Sequence, residues 1–196
     1  MTVADQGSQP FLHLVLGLGN PGAEYRDTRH NLGFLVVEEL ARRWEARLDR
    51  VECNARVGAS DGVLLAQPQT YMNRSGYAAR CLVERHGLLP RQLLVVMDDV
   101  ALPLGKLRLR PNGSPGGHRG LESILENLQS DEVARLRLGV RVGEGPVGGD
   151  ELVDFVLSPF LAEERETVEE MVRRGADACE CWRSDGVELA MSRFNG

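Results

Sequence analysis

The sequence has no long apolar segment. No run of residues approaches the roughly 18 apolar residues that a membrane-spanning helix needs. Residues 1–10 are polar and contain neither the basic region nor the apolar region of a secretory signal peptide. We therefore expect a cytoplasmic protein that does not act at a membrane, with residues 1–10 forming a disordered tail.

Cysteine is scarce, and its positions, Cys53, Cys81, Cys179 and Cys181, lack the spacing of a metal site. They form no C-x-x-C pair, and no histidine follows them at zinc-finger spacing. Because thiols in the cytosol are usually kept reduced, we expect four free cysteines. The chain also lacks the H-E-x-x-H segment of zinc hydrolases. For an enzyme, water is therefore the expected nucleophile, and no metal or other cofactor is implied.

Positive charge is also in short supply. Lys and Arg number 23 against 29 Asp and Glu, which gives a formal net charge of −6. A nucleic-acid partner would therefore need a locally basic face. Residues 100–121 contain no acid but include Lys106, Arg108, Arg110 and Arg119, and Arg137 would join them if two predicted strands are neighbours. This pattern indicates either an RNA-binding face or an ordinary solvated basic surface.

Apolar strands alternate with helices along most of the 196 residues. Residues 12–18, 63–66, 93–97, 106–110 and 136–142 are predicted strands, and residues 32–44, 77–86, 121–128, 161–182 and 187–194 are predicted helices. In the strands at 106–110 and 136–142, apolar and arginine residues alternate, with Leu136, Leu138, Val140 and Val142 facing inward. We predict one α/β domain over residues 11–196, built on a twisted mixed β-sheet with helices on both faces.

Residues 17–22, GLGNPG, fit the dinucleotide-binding pattern G-x-G-x-x-G. That motif requires a helix opening at the third glycine and an acid closing the second strand. Here the helix begins only near Asn31, and Glu38 and Glu39 fall inside it. A nucleotide-dependent oxidoreductase is thus a disfavoured alternative. The glycines are instead expected to turn the backbone at the carboxyl end of the strand, where ligands bind in open α/β sheets.

One of the four histidines, His30, precedes a helix in the loop that leaves the first strand. Asp98 and Asp99 end a central strand of the same predicted sheet. A His–Asp pair at this edge would give a general base, since the carboxylate fixes the tautomer and stabilises the imidazolium. The alternative is a helix-capping histidine beside an ordinary turn.

The other histidines give weaker signals. His13 is interpreted as a tolerated strand residue, and His86 as a helix-ending residue. His118 lies among glycines, where it is either structural or part of a site. Asn20 and Asn73 each follow a strand and could donate to a developing oxyanion or simply form turns.

The chain resembles the bacterial peptidyl-tRNA hydrolase family in five ordered blocks. These are residues 17–34 (GLGNPG, then Tyr25 and TRHNLGF), 67–76 (QPQTYMNRSG), 98–105 (DDVALPLG), 113–121 (GSPGGHRGL) and 135–140 (RLRLGV). Their order and gaps agree with the family from about Leu12 to the C-terminus. Such a set is far more specific than a single glycine motif.

The resemblance implies a metal-independent esterase that acts on peptidyl-tRNA as a monomer, with no cofactor and no obligate protein partner. By position, His30 would be the base, Asp98 would orient it, and Asn20 would sense the blocked amino group. The residues implied in substrate binding are Tyr25, Tyr71 and Asn73 for the tRNA end and peptide, Met72 in the cleft wall, and Arg110 and Arg137 as a clamp on a tRNA phosphate.

Two positions depart from the family pattern. Arg119 replaces an asparagine that normally contacts substrate, and Ala101 stands where an acid is frequent. Arginine cannot accept a hydrogen bond as an amide can, but it can bind phosphate or stack. A non-catalytic RNA-binding relative of the same fold remains an alternative, although such a protein need not retain His30, Asp98 and Asn20 together.

Overall fold

A seven-stranded mixed sheet forms the centre of the computed structural model, which describes residues 12–143 and 148–196. The expected tail of residues 1–10 lies outside the described residues. The strands are β1 (His13–Gly17), β2 (Arg50–Glu52), β3 (Ala55–Ser60), β4 (Val63–Pro68), β5 (Leu93–Pro103), β6 (Leu107–Arg110) and β7 (Ala134–Arg141). Their order is β2-β3-β4-β1-β5-β7-β6. Strands β4, β1, β5 and β7 are parallel, and the edges are antiparallel.

Helices cover both faces of this sheet, as predicted. They are α1 (Leu32–Arg43), α2 (Ser75–Arg85), α3 (Arg119–Leu128), α4 (Gly149–Val156), α5 (Arg165–Asp185) and α6 (Val187–Phe194). Val15 faces a core shared with α1, α5 and α6, whereas Leu14 and Leu16 face a second core shared with α2 and α3. Alternate residues of β1 therefore point to opposite faces, as the two-residue period of a strand requires.

Several predicted boundaries need correction. Strand β5 continues to Pro103, and the predicted helix at 161–182 begins only at Arg165, after a short 3-10 turn. Helix α4 and the antiparallel strands β2 and β3 were not predicted. Leu136, Leu138 and Val140 are buried as expected, but Val142 is 48% exposed because β7 has already ended at Arg141.

The glycines after β1 serve close packing as well as a turn. A Cβ on Gly17 would lie 2.1 Å from the carbonyl oxygen of Gly33, and one on Gly33 would lie 2.3 Å from the backbone nitrogen of Leu18. These glycines let the start of α1 lie directly against β1. Only Gly22, with φ of 119°, supplies a backbone turn of the kind expected of the motif.

The prediction of four free thiols is wrong for two of them. Cys53 and Cys81 form a disulfide that joins the β2–β3 turn to α2, with their Cα atoms 5.6 Å apart. The fold brings together residues 28 positions apart, which sequence spacing alone does not reveal. Cys179 and Cys181 are free and buried on α5. No helix among the described residues is both long and apolar enough to cross a membrane.

Candidate functional site

The parallel pairing of β1 with β5 brings the predicted base and its partner to one edge of the sheet. The loop after β1 leads into a 3-10 turn, Arg29–Asn31, that carries His30, while Asp98 lies on β5 itself. Carboxyl ends of neighbouring parallel strands meet at the same edge, so the two side chains approach although 68 residues separate them.

His30 and Asp98 form a close hydrogen-bonded pair. The Nδ1 atom of His30 lies 2.8 Å and 3.0 Å from the two carboxylate oxygens of Asp98. The Asp98 side chain is 2% exposed and that of His30 is 14% exposed. An ionised carboxylate can only accept, so Nδ1 carries the proton, and the Nε2 lone pair of neutral His30 remains available to take one.

His118 is a second partner of the same carboxylate, which the sequence left undecided. Its Nε2 lies 3.1 Å from Oδ1 of Asp98. Its Nδ1 accepts hydrogen bonds from the backbone N–H groups of Gly120 and Leu121, at 3.2 Å and 3.3 Å, and so caps α3. An acceptor Nδ1 is unprotonated, so Nε2 carries the proton and donates to Asp98. Both ring nitrogens of His118 are thus occupied, which leaves His30 as the candidate base.

Electrostatics favour proton uptake by His30. Burial disfavours its charged form, but the charge of Asp98 and the hydrogen bond to it outweigh burial and raise the pKa of His30 above 6.5. Burial alone would raise the pKa of Asp98, yet the two histidines hold it well below its usual range. Asp98 therefore stays ionised whenever His30 titrates.

Asn20 is held in one orientation by backbone contacts. Its Oδ1 accepts from the N–H of Met72 at 2.8 Å, so the amide NH₂ is the end left for a ligand. The side chain of Asn31 exchanges two hydrogen bonds with the backbone of Asn20, at 2.9 Å and 3.0 Å. We had interpreted Asn31 only as the start of a helix. Its distance from Asn20 in the chain gives no sequence signal for this contact.

These groups open into a cleft of about 340 Å³. Most predicted site residues line it together: Asn20, His30, Tyr71, Met72, Asn73, Asp98, Arg119 and Arg137. Tyr25 and Arg110, both in the described part of the chain, do not. Tyr25 lies in the 3-10 turn Ala23–Tyr25, and Arg110 lies on the exposed side of β6.

One wall of the cleft comes from a helix that the sequence analysis missed. Leu152, Val153, Val156 and Leu157, from α4 and its C-terminal end, all line it. Leu152 and Val156 are four positions apart, as are Val153 and Leu157, and this spacing places the four side chains on one face of a helix. That spacing was the signal available in the sequence.

The predicted basic strands are neighbours, and Arg137 of β7 lines the cleft. In the antiparallel register Arg108 lies across from Arg137, and Arg110 across from Arg135. Arg137 approaches Asp99 at 3.4 Å. Arg135, which had no predicted role, is buried and donates to the carbonyl of Gly113 at 2.7 Å.

Burial of Arg135, with the nearby charge of Arg137, lowers its pKa to about 10. It therefore remains charged at neutral pH. Through its bond to Gly113, Arg135 holds the glycine-rich loop that precedes His118.

Residues 58–62, GASDG, match the G-x-S-x-G string of serine hydrolases, which bears on the expectation that water is the nucleophile. Ser60 ends β3 and leads through a turn into antiparallel β4. The elbow of serine hydrolases instead joins a strand to a helix. Ser60 also lies outside the lining of the cleft, so it is not placed to act as a nucleophile there.

Among the described residues, His30, Asp98 and His118 form a group whose potential ligand atoms lie within 4.8 Å of one another. This donor set does not suit a metal. The Nε2 of His118 must carry a proton while Nδ1 accepts from the helix, and a protonated nitrogen cannot bind a cation.

Comparisons with known proteins point to the family that the sequence resembles. A family described as peptidyl-tRNA hydrolase matches residues 14–196. The chain is 45% identical over 186 residues to peptidyl-tRNA hydrolase of Methylacidiphilum infernorum, covering 93% of this chain and 97% of that protein. It is 42% identical over 188 residues to peptidyl-tRNA hydrolase of Dehalococcoides mccartyi, covering 94% and 100%. The crystal structure of the Acinetobacter baumannii enzyme of that name superimposes with a TM-score of 0.88 at 30% identity, covering 97% and 98%.

The pairing of His30 with Asp98 predicts how the titration of His30 would change if Asp98 were replaced by an uncharged residue. Asp98→Asn removes the charge that raises the pKa, so burial should dominate and bring the pKa of His30 below 6.5. An NMR titration of the imidazole Cε1 proton measures this directly. Asp99→Asn is the matched control and should shift the His30 titration far less. A titration left unchanged by Asp98→Asn would contradict the pairing.

Proposed function

The chain belongs to the peptidyl-tRNA hydrolase family, and we propose that it hydrolyses the ester between a peptide, or an N-blocked amino acid, and the terminal ribose of tRNA. The observation that carries this proposal is the His30–Asp98 pair. The Nε2 atom of His30 is free, and His30 lines a cleft that has one apolar wall and one basic rim. No observation favours the non-catalytic alternative, since the base, its orienting acid and Asn20 are all present at one site.

In the proposed reaction, Nε2 of His30 takes a proton from water as the water oxygen attacks the ester carbonyl. Asp98 stabilises the imidazolium that forms. The tetrahedral intermediate then expels the ribose oxygen, which receives the proton from His30 and leaves as free tRNA. The peptide departs with a carboxylate. His118 acts by holding Asp98 ionised and in place, and it does not exchange a proton itself.

Asn20 supplies a physical basis for rejecting unblocked aminoacyl-tRNA. Its carbonyl oxygen is already occupied by Met72, so it presents only N–H donors. The carbonyl oxygen of a blocked amino group can accept from them, whereas a free ammonium group has only donors of its own and carries a charge. Asn73, which also lines the cleft, is a second candidate donor toward substrate.

The two sides of the cleft suit the two halves of the substrate. The α4 wall is apolar and can cover peptide side chains, whereas Arg137 and Arg119 offer charge to tRNA phosphates. Tyr71 is 63% exposed at the cleft and can stack on a terminal base. Tyr25 and Arg110, outside the cleft lining, would contact the tRNA farther from the ester.

Neither departure from the family pattern removes catalytic chemistry. Arg119 is exposed at the first turn of α3, and no other described residue forms an ion pair with it, so it is available to a phosphate. Ala101 donates its N–H to Asp99 at 2.8 Å and leaves Asp98 untouched. The proposed enzyme acts as a cytoplasmic monomer without cofactor or obligate partner. In support, one chain supplies the base, its carboxylate and both cleft walls.

Replacing the base should separate chemistry from binding. His30→Ala should lower kcat by at least about a hundredfold, because a positioned general base contributes about 10²–10⁴ in rate. The affinity for tRNA, measured by filter binding, should stay near that of the wild type. His86→Ala is the control, since His86 pairs with Glu52 and does not line the cleft. Loss of binding with undiminished turnover of the bound complex would refute the assignment.

Removing the proposed phosphate contact should change the salt dependence of binding. Arg137→Ala should weaken tRNA binding and reduce the slope of log K against log salt concentration by about one unit. Arg173→Ala, which removes an exposed arginine paired with Glu170 on α5, should leave the slope unchanged. If Arg137→Ala also left it unchanged, Arg137 would not contact a phosphate.

A further inference from the structure

A buried ion pair connects the turn that carries His30 to a distant part of the chain. Nη2 of Arg29 lies 2.8 Å and 2.7 Å from the two carboxylate oxygens of Glu164. The side chains are 4% and 6% exposed, and neither residue lines the cleft. Arg29 immediately precedes His30, so the pair lies next to the catalytic turn without taking part in the proposed chemistry.

Arg29 also binds the segment that follows α4. Its Nη1 donates to Oγ of Ser158 at 3.3 Å and to the carbonyl of Pro159. Its guanidinium carbon lies 4.7 Å from the ring centroid of Phe155 and 4.9 Å from that of Phe160. The planar cation is therefore held by hydrogen bonds at its edges and by aromatic rings nearby.

Backbone contacts join the same two segments. The N–H of Arg29 donates to the carbonyl of Ser158 at 3.1 Å, and Thr28 forms an isolated β-bridge with Pro159. Glu164 in turn accepts from the N–H of Leu161 at 2.6 Å. The whole stretch from the end of α4 to the start of α5 is thus attached at Arg29.

Helix α4 packs beside this attachment. Among the described elements, it packs principally against the 3-10 turn that contains Arg29. Its apolar residues Leu152, Val153 and Val156 line the cleft, and Phe155, on the same helix, lies beside the guanidinium of Arg29. A change in how Arg29 holds this segment would therefore move the wall relative to His30.

We infer that the Arg29–Glu164 pair positions the α4 wall against the catalytic turn and thereby sets the preference for apolar peptide side chains. The inference rests on the proposed function. A buried ion pair often stabilises a fold no better than apolar residues of equal volume would. Its bidentate geometry, however, fixes the direction in which two segments meet. Arg29 and Glu164 are accordingly positioning residues, not catalytic ones.

The test compares two blocked substrates, N-acetyl-leucyl-tRNA and N-acetyl-glycyl-tRNA, with wild type, Arg29→Lys and the double variant Arg29→Met/Glu164→Leu. Lysine keeps the charge but loses the two-pronged contact. The double variant replaces both charges with apolar groups, which favours folding. Arg43→Lys is the matched control, because Arg43 pairs with Asp177 far along α5. Circular dichroism establishes that each variant is folded.

Wild type should prefer the leucyl substrate. Both Arg29 variants should lower the leucyl-to-glycyl ratio of kcat/KM about tenfold, mainly through KM for the leucyl substrate, because an apolar pocket distinguishes side chains by factors of this order. The binding of deacylated tRNA should not change. A merely structural defect would reduce the active fraction, which lowers kcat for both substrates alike and leaves the ratio unchanged.

An unchanged ratio in folded Arg29→Lys would overturn the inference, even if the double variant did not fold. Absence of a leucyl preference in the wild type would also overturn it, because the wall would then have no peptide side chain to contact. Failure of the wild type to cleave either substrate would instead refute the proposed function, and the inference with it.

Discussion

The carboxylate of Asp98 is the group on which the site depends. A charge that is 98% removed from solvent is costly unless hydrogen bonds compensate it, and here two histidines do so. His30 comes from the end of β1 and His118 from the start of α3, so one buried charge fixes the relative positions of three separate chain segments. His118 also caps α3, so both of its ring nitrogens are occupied, whereas Nε2 of His30 is not.

Local positive charge explains how an acidic protein can bind a polyanionic substrate. The net charge is −6, yet β6 and β7 place their arginines in register on one face. At short range, and at physiological salt, local charge governs contact with phosphate more than distant charge does. In the proposed complex, the apolar wall of α4 would contact the peptide half of the substrate and the arginines would contact the tRNA half.

The sequence was informative where function demands particular residue types at strand ends. His30 and Asp98 were predicted there and Arg137 on a neighbouring strand, and the sheet brings all three to one cleft. Contacts between remote segments were not predictable in the same way. The bond of His118 to Asp98, the Arg29–Glu164 pair and the Cys53–Cys81 disulfide all depend on how separate elements pack, and no local pattern records that packing. Helix α4 is different, because its apolar spacing was present in the sequence and was overlooked.

The measurement that tests the central claim most directly is the release of free tRNA from an N-acetylated aminoacyl-tRNA in the presence of EDTA, with the unblocked aminoacyl-tRNA in parallel. A metal-independent His30 base beside a donor-only Asn20 predicts rapid cleavage of the blocked substrate and little cleavage of the unblocked one. Equal cleavage of both would contradict the role of Asn20. Measurable tRNA binding with no cleavage of either substrate would contradict the account as a whole and favour a non-catalytic RNA-binding protein.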